Sequence, residues 1–182
     1  MTMRVLGVSG SIRRGSFNRR LLMAAAAELP GAATLDLSFR IDRIPPYDED
    51  APAPEPVRAM RAAIAAADAV LIATPEYNSS VPGQLKNALD WASRPFPANA
   101  LRHKPVAVVG ASTGMFGAIW AQAELRKVLR TTGAEVIDDE LAVGWAHDAF
   151  APDNTLADPQ QRAALAALLE RLLVATGAVC RA

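Results

Sequence analysis

Two runs in this chain, DAVLIAT (68–74) and PVAVVGAS (105–112), are apolar at nearly every position, with no alternation of wet and dry residues. A strand with one solvated face alternates, so runs like these must be covered on both faces. Both are far shorter than the roughly 18 residues of a membrane span. The arrangement that covers a strand on both sides is a parallel sheet with helices packed above and below it.

The remaining sequence supplies those helices. RVLGVSG (4–10) reads as the first strand. A helix follows over about 16–29, with Ser16 as N-cap and Leu21, Leu22, Ala25 and Leu29 on one face. ATLDLS (33–38) is a second, weaker strand. RIDRIPPYDEDAPAPEP (40–56), rich in proline and acid, is expected to be a surface loop. Val57, Met60, Ile64 and Ala67 form the face of helix two, and DAVLIAT is strand three. Pro82 suits the first position of helix three, whose inner face is Leu85, Ala88, Leu89 and Ala92. PVAVVGAS is strand four. Helix four is expected to turn Ile119, Ala123 and Val128 inward and to stop near Gly133. AEVIDDELAV (134–143) holds strand five. Asp158-Pro159-Gln160-Gln161 looks like a capping box for the last helix, with Leu165, Leu168, Leu169 and Leu172 inward.

Repeated β-then-α units predict an α/β fold and one domain over 1–182. The expected architecture is a three-layer sandwich around a five-stranded parallel sheet in the flavodoxin-like order 2-1-3-4-5. In that order the switch point lies between strands one and three, and ligands bind beyond the carboxyl ends of the strands there.

Charge removes several function classes. Lysine plus arginine and aspartate plus glutamate are 19 each, so there is no electrostatic case for nucleic acid or an anionic membrane. The single cysteine, Cys180, precludes an intrachain disulfide and suits a reducing compartment, hence a cytoplasmic expectation. MTMRVLGVSGS reads as a strand and not as a signal peptide. His103 and His147 fall outside the polar loops, and no cluster has metal-ligand spacing.

Three polar loops follow strands one, three and four. The first, Ser9-Gly10-Ser11-Ile12-Arg13-Arg14-Gly15-Ser16-Phe17-Asn18, concentrates hydroxyls, guanidinium groups and an amide before a helix N-terminus. Free N–H groups and hydroxyl donors at such a place favour a phosphate; the plain alternative is a capped turn with solvated arginines. Gly10-x-x-x-x-Gly15 copies the spacing of a nucleotide-triphosphate loop, but Ser16 and Phe17 stand where Lys and Ser/Thr belong. G-x-G-x-x-G is absent, and no cysteine nucleophile is near. What remains holds a phosphate without transferring it. The second loop, Pro75-Glu76-Tyr77-Asn78-Ser79-Ser80, offers a flat ring and polar edges suited to a planar heterocycle. The third, Ser112-Thr113-Gly114-Met115-Phe116-Gly117, is small and polar, and its glycines let backbone approach a ligand.

The chain resembles the NADPH-dependent FMN reductase family, with its flavodoxin-like quinone, chromate and azo reductases. The resemblance rests on G-S-x-R-x-G-S-x-N at Gly10–Asn18 and on P-E-Y-N at Pro75–Asn78. It continues through Ser80-x-Pro82-Gly83-x-Leu85-Lys86-Asn87-Ala88-x-Asp90-Trp91, and covers about residues 3–130. It implies non-covalent FMN, with NAD(P)H as co-substrate. It implies that Ser11, Arg13, Ser16 and Asn18, with the Phe17 amide, hold the phosphate, and that Pro75, Glu76, Tyr77 and Asn78 border the isoalloxazine. Ser112, Thr113 and Gly114 would approach its other edge. No side chain is expected to act as a nucleophile or acid–base catalyst. Hydride would pass to the flavin and electrons on to a quinone or similar small-molecule acceptor, in ping-pong order. A homodimer or homotetramer is implied, with Trp91, Phe96, Phe116 and Trp120 as contact candidates. Two other readings stay open: an FMN-binding electron carrier without NAD(P)H turnover, and a phosphohydrolase on the same fold.

Overall fold

The computed structural model describes residues 2–177, so Cys180 lies outside the described residues. Strands β1 (Met3–Ser9), β2 (Ala33–Asp36), β3 (Ala69–Thr74), β4 (Pro105–Ala111), β5 (Glu135–Val136) and β6 (Ala142–Val143) are interleaved with five helices. These are α1 (Phe17–Glu28), α2 (Glu55–Ala66), α3 (Gly83–Ala92), α4 (Ile119–Thr131) and α5 (Pro159–Ala175). The sheet runs β2-β1-β3-β4-β5, all parallel, with β6 also paired to β4. The expected order is thus observed, with a sixth strand added.

The uniform apolarity of β3 has a direct cause. Ala69, Leu71 and Ala73 pack into one core with α1 and α5. Val70 and Ile72 pack into the other, with α2, α3 and α4. Every residue of β3 is buried, so both parities are apolar until Thr74 at the carboxyl end, whose hydroxyl donates to the Pro75 carbonyl at 2.8 Å. β4 divides the same way, Ala107 and Val109 against Val106 and Val108. Each helix comes back onto a face because its apolar stripe recurs at helical spacing. Ser16 caps α1, accepting from the Arg19 N–H at 3.3 Å, and Asp158 caps α5, accepting from the Gln160 N–H at 2.8 Å. Among the described residues no helix is long and apolar enough to cross a membrane.

Three elements differ from the sequence reading. First, the proline-rich segment is no free loop. Residues Ile41–Arg43 form a 3₁₀ turn, and Ile41 and Ile44 are buried. Gln84, Asn87 and Trp91, one ridge of α3, clamp the segment. Gln84 Nε2 donates to the Ile44 carbonyl at 2.9 Å, Asn87 Oδ1 accepts from the Tyr47 N–H at 2.7 Å, and Trp91 Nε1 donates to the Pro45 carbonyl at 2.9 Å. Trp91 is therefore core, not a contact for a second chain. Second, α4 is rotated from the expected face. Ala121, Gln122, Leu125 and Leu129 are buried and Ala123 is exposed. Third, the single strand expected over 134–143 is two short ones. Between them Asp138, Asp139 and Glu140 leave the sheet to meet Arg130, Arg171 and Arg126 respectively. Three consecutive carboxylates cannot sit in a covered strand, so the chain bows outward to the arginines of α4 and α5.

Candidate functional site

The loop after β1 is drawn onto the sheet by its glycine. Gly10 N–H donates to the Ala73 carbonyl at 2.8 Å, and a Cβ at this position would stand 2.8 Å from Leu85 Cδ2. Ser11 Oγ accepts from the Arg13 N–H at 3.4 Å, and Ser16 Oγ accepts the cap bond. Each hydroxyl uses a lone pair here and keeps its proton for a ligand. Arg13 Nη2 donates to the Gly15 carbonyl at 3.0 Å while its guanidinium lies 5.6 Å from the centre of the Phe17 ring. The arginine is thus held in one orientation beside the helix N-terminus.

Asn18 sits elsewhere than the motif suggests. It is 2% exposed. Its Nδ2 donates to the Ala111 carbonyl and its Oδ1 accepts from the Ala111 N–H, both at 2.9 Å. The Gly110 and Ser112 N–H groups point to the opposite edge, to Leu141 and Val143. Ala111 therefore points to the β3 side, where β3 has ended at Thr74-Pro75 and Pro75 has no N–H to offer. The Asn18 amide replaces the missing peptide.

The loop after β3 makes a tight reversal, with Tyr77 and Ser80 exchanging backbone hydrogen bonds of 3.2 and 3.1 Å. Asn78 and Ser79 occupy its two central positions at φ 53° and 59°. Asparagine tolerates that region better than most residues, which accounts for it at the tip. Tyr77 projects, about half exposed. Glu76 faces α4: its Oε2 accepts from the Trp120 and Ala121 N–H groups, each at 3.1 Å. The N-cap residue of α4, Ala118, has no side-chain acceptor, so Glu76 provides the cap from another loop. Glu124 replies from within α4. Its Oε2 accepts from Ser80 Oγ at 2.6 Å and from the Val81 N–H at 3.1 Å. The Ser80 hydroxyl, then the Val81 N–H, hold its carboxyl below the ordinary glutamate value.

The loop after β4 is bracketed by residues 142–146, of which the sequence reading placed 142 and 143 in strand five and gave none a part in the site. Ser112 N–H donates to the Val143 carbonyl at 3.0 Å, Ala146 N–H to the Ser112 carbonyl at 3.0 Å, and Trp145 N–H to the Gly114 carbonyl at 3.2 Å. The two backbones touch: a Cβ on Gly144 would lie 2.3 Å from the Met115 carbonyl oxygen, and one on Gly117 would lie 2.4 Å from the Ala142 carbonyl carbon. The signal available in the sequence was Gly144 inside an otherwise apolar stretch.

Together the loops enclose an open cleft of about 260 Å3 at the carboxyl edge of the sheet. Its wall contains Ser11, Arg13, Ser16 and Phe17 from the first loop, Pro75, Glu76 and Tyr77 from the second, and Ser112 and Thr113 from the third. Nine of the twelve expected residues thus converge. Asn18 lies beneath the wall, Asn78 at the turn tip and Gly114 past the rim. The donor set is hydroxyls, a guanidinium and a helix N-terminus, and the one carboxylate in the wall, Glu76, is taken up by α4. That chemistry suits a phosphate at one end and a flat ring between Tyr77 and Thr113 at the other. Phe116 and Trp120, 49% and 46% exposed, stack edge to face at 5.0 Å at the start of α4.

The model of the family described as NADPH-dependent FMN reductase matches residues 3–148. An NAD(P)H-dependent FMN reductase of Pseudomonas aeruginosa is 42% identical over 173 residues, covering 93% of this chain and 92% of that protein. A 2-hydroxy-1,4-benzoquinone reductase of a Burkholderia species is 46% identical over 130 residues, 70% of each chain. Among solved structures, the flavoenzyme NAD(P)H:(acceptor) oxidoreductase FerB of Paracoccus denitrificans superposes with a TM-score of 0.88 at 35% identity, over 97% of this chain and 98% of that one. With the loop motifs converging on one cleft and relatives of this closeness, the chain belongs to the NADPH-dependent FMN reductase family.

Proposed function

We propose that the chain is an FMN-dependent NAD(P)H oxidoreductase of the quinone-reductase type, with residues 1–182 acting as one cytoplasmic FMN-binding domain. The observation that carries this reading is the convergence of the donor-rich first loop with Pro75, Tyr77, Ser112 and Thr113 on one open cleft of about 260 Å3. Ser11, Arg13 and Ser16, with the N–H groups at the start of α1, hold the cofactor phosphate. Pro75 and Tyr77 line one side of the ring, and Ser112, Thr113 and the Gly114 backbone the other. When bound, the flavin supplies the two-electron chemistry, taking hydride from NAD(P)H and then reducing a quinone or similar acceptor in ping-pong order. The residues of the wall would bind and orient the flavin, and the openness of the cleft would let nicotinamide and acceptor approach it in turn. No side chain in the wall is required as a nucleophile.

Purified protein is expected to carry a yellow flavin that bleaches on anaerobic addition of NADPH or NADH and recovers its colour when a benzoquinone is added. A flavin that stays oxidised identifies an electron carrier instead. Phe116, Trp120 and Phe96, the last 72% exposed, support a further proposal that the chain forms a homodimer or homotetramer. Light scattering is expected to give at least twice the 19.3 kDa of one chain; a monomer mass rejects it.

A further inference from the structure

We propose that Phe150 and Arg20, which lie outside the cleft, are positioning residues for its phosphate end and act through Phe17 and Arg13. This rests on the assignment of the first loop to the cofactor phosphate. Four side chains form a series from the cleft wall into the body of the protein. The Arg13 guanidinium lies 5.6 Å from the centre of the Phe17 ring. That ring is nearly parallel to the Phe150 ring, at 6° and with 6.3 Å between centres. The Arg20 guanidinium lies 4.8 Å from the centre of the Phe150 ring. Each spacing falls within the range at which two rings, or a cation and a ring, attract. Arg13 and Phe17 line the cleft, whereas Phe150 and Arg20 do not.

The far end of the series is fixed. Residues 149–157 close into a small hairpin, in which Phe150 and Leu156 form an antiparallel bridge. Ala151 N–H donates to the Thr155 carbonyl at 2.9 Å, and Ala157 N–H to the Ala149 carbonyl at 3.0 Å. Phe150 and Leu156 are both buried in the core shared with α1 and α5, which pins the hairpin. Its turn grips Arg20: Nε donates to Asn154 Oδ1 at 2.9 Å and Nη2 to the Ala151 carbonyl at 3.1 Å. Phe17 and Arg20 stand three residues apart on α1, so one face of the helix presents both to the hairpin. The near end is loose by itself. Arg13 is exposed, and among the described residues its guanidinium is otherwise held only by the Gly15 carbonyl, two residues away. A bond that local moves with the loop, so the Phe17 ring is the tie between Arg13 and the rigid body. An arginine already held in place loses less freedom when it closes on a phosphate, and the hairpin supplies that order in advance.

The test titrates FMN and riboflavin separately into the full chain freed of flavin and reads flavin fluorescence. The two ligands share the ring and differ in the phosphate, so a loss confined to FMN reports the phosphate end alone. Phe150→Leu keeps an apolar side chain and removes the ring. It is expected to weaken FMN binding about three- to tenfold and riboflavin binding by less than about twofold. Phe150→Tyr, which restores a ring, should recover most of the loss. Asn154→Gly removes an acceptor of Arg20 without touching the core, at φ 67°, which glycine accepts. It should give the same selective loss, smaller in size. With Arg13→Gln already in place, Phe150→Leu should weaken FMN binding little further. Equal losses for FMN and riboflavin, no loss in either variant, or an undiminished loss beside Arg13→Gln overturns the proposal. An unaltered chain that binds riboflavin as tightly as FMN overturns the phosphate assignment itself.

Discussion

Replacing Asn18 with alanine is expected to destabilise the protein by roughly 2–5 kcal/mol, measured by urea denaturation of the flavin-free chain. The magnitude follows from the two bonds at 2.9 Å that its amide makes to Ala111. Removing the amide leaves a buried N–H and a buried carbonyl with no partner at the place where the β3 ladder has stopped. Each orphaned group costs about 1–3 kcal/mol. Asn18→Asp should cost at least as much at neutral pH: it keeps an acceptor for the Ala111 N–H but sets a buried carboxylate against the Ala111 carbonyl. Because Ala111 leads directly into Ser112, FMN affinity should fall in both variants although Asn18 is buried beneath the cleft wall. A loss under about 1 kcal/mol for Asn18→Ala means that solvent can replace the amide, and the strut assigned to it does not exist.

Gly144→Ala is expected to cost about 2–4 kcal/mol and to lower flavin retention together with stability. The added methyl would meet the Met115 carbonyl oxygen at 2.3 Å, the Met115 carbonyl carbon at 2.9 Å and the Gly114 carbonyl oxygen at 3.2 Å. All three are backbone atoms, so no flexible side chain can swing away. Either β6 or the loop after β4 must move, and the loop carries Ser112 and Thr113. Gly83→Ala is the control. A Cβ there meets nothing within 4 Å, and the position opens α3, so the same change should be neutral or stabilising by up to about 1 kcal/mol. Thermal denaturation with and without added FMN separates the outcomes. Equal behaviour of the two variants rejects the close contact.

The sequence made the sheet order and most helix faces legible because their causes are local and repeated. β3 and β4 are apolar on both parities, and α1, α2, α3 and α5 show clean apolar stripes. The face of α4 was hidden by Gln122. This polar residue is fully buried and donates through Nε2 to the Gly117 carbonyl at 3.1 Å, so it sits where a stripe would demand a hydrophobe. The division of β5 from β6 depends on arginines of α4 and α5 that are remote in sequence from the acids they meet. At the site, the loop composition identified the cleft. The occupations of Glu76 and Asn18 were not legible, because each bonds backbone of an element about 45 or 93 residues away. A motif records which residue types gather at a place, whereas a buried amide spent on a strand end shows only when both elements are in position.

Glu76 reaches from the ring-side loop into the start of α4, and Glu124 reaches back from α4 into the same loop. Two struts crossing one gap in opposite directions leave neither side free to slide alone. Tyr77, between them in sequence, is therefore geared to the helix that carries Trp120. A load placed on that tryptophan would pass through the helix to the wall of the cleft.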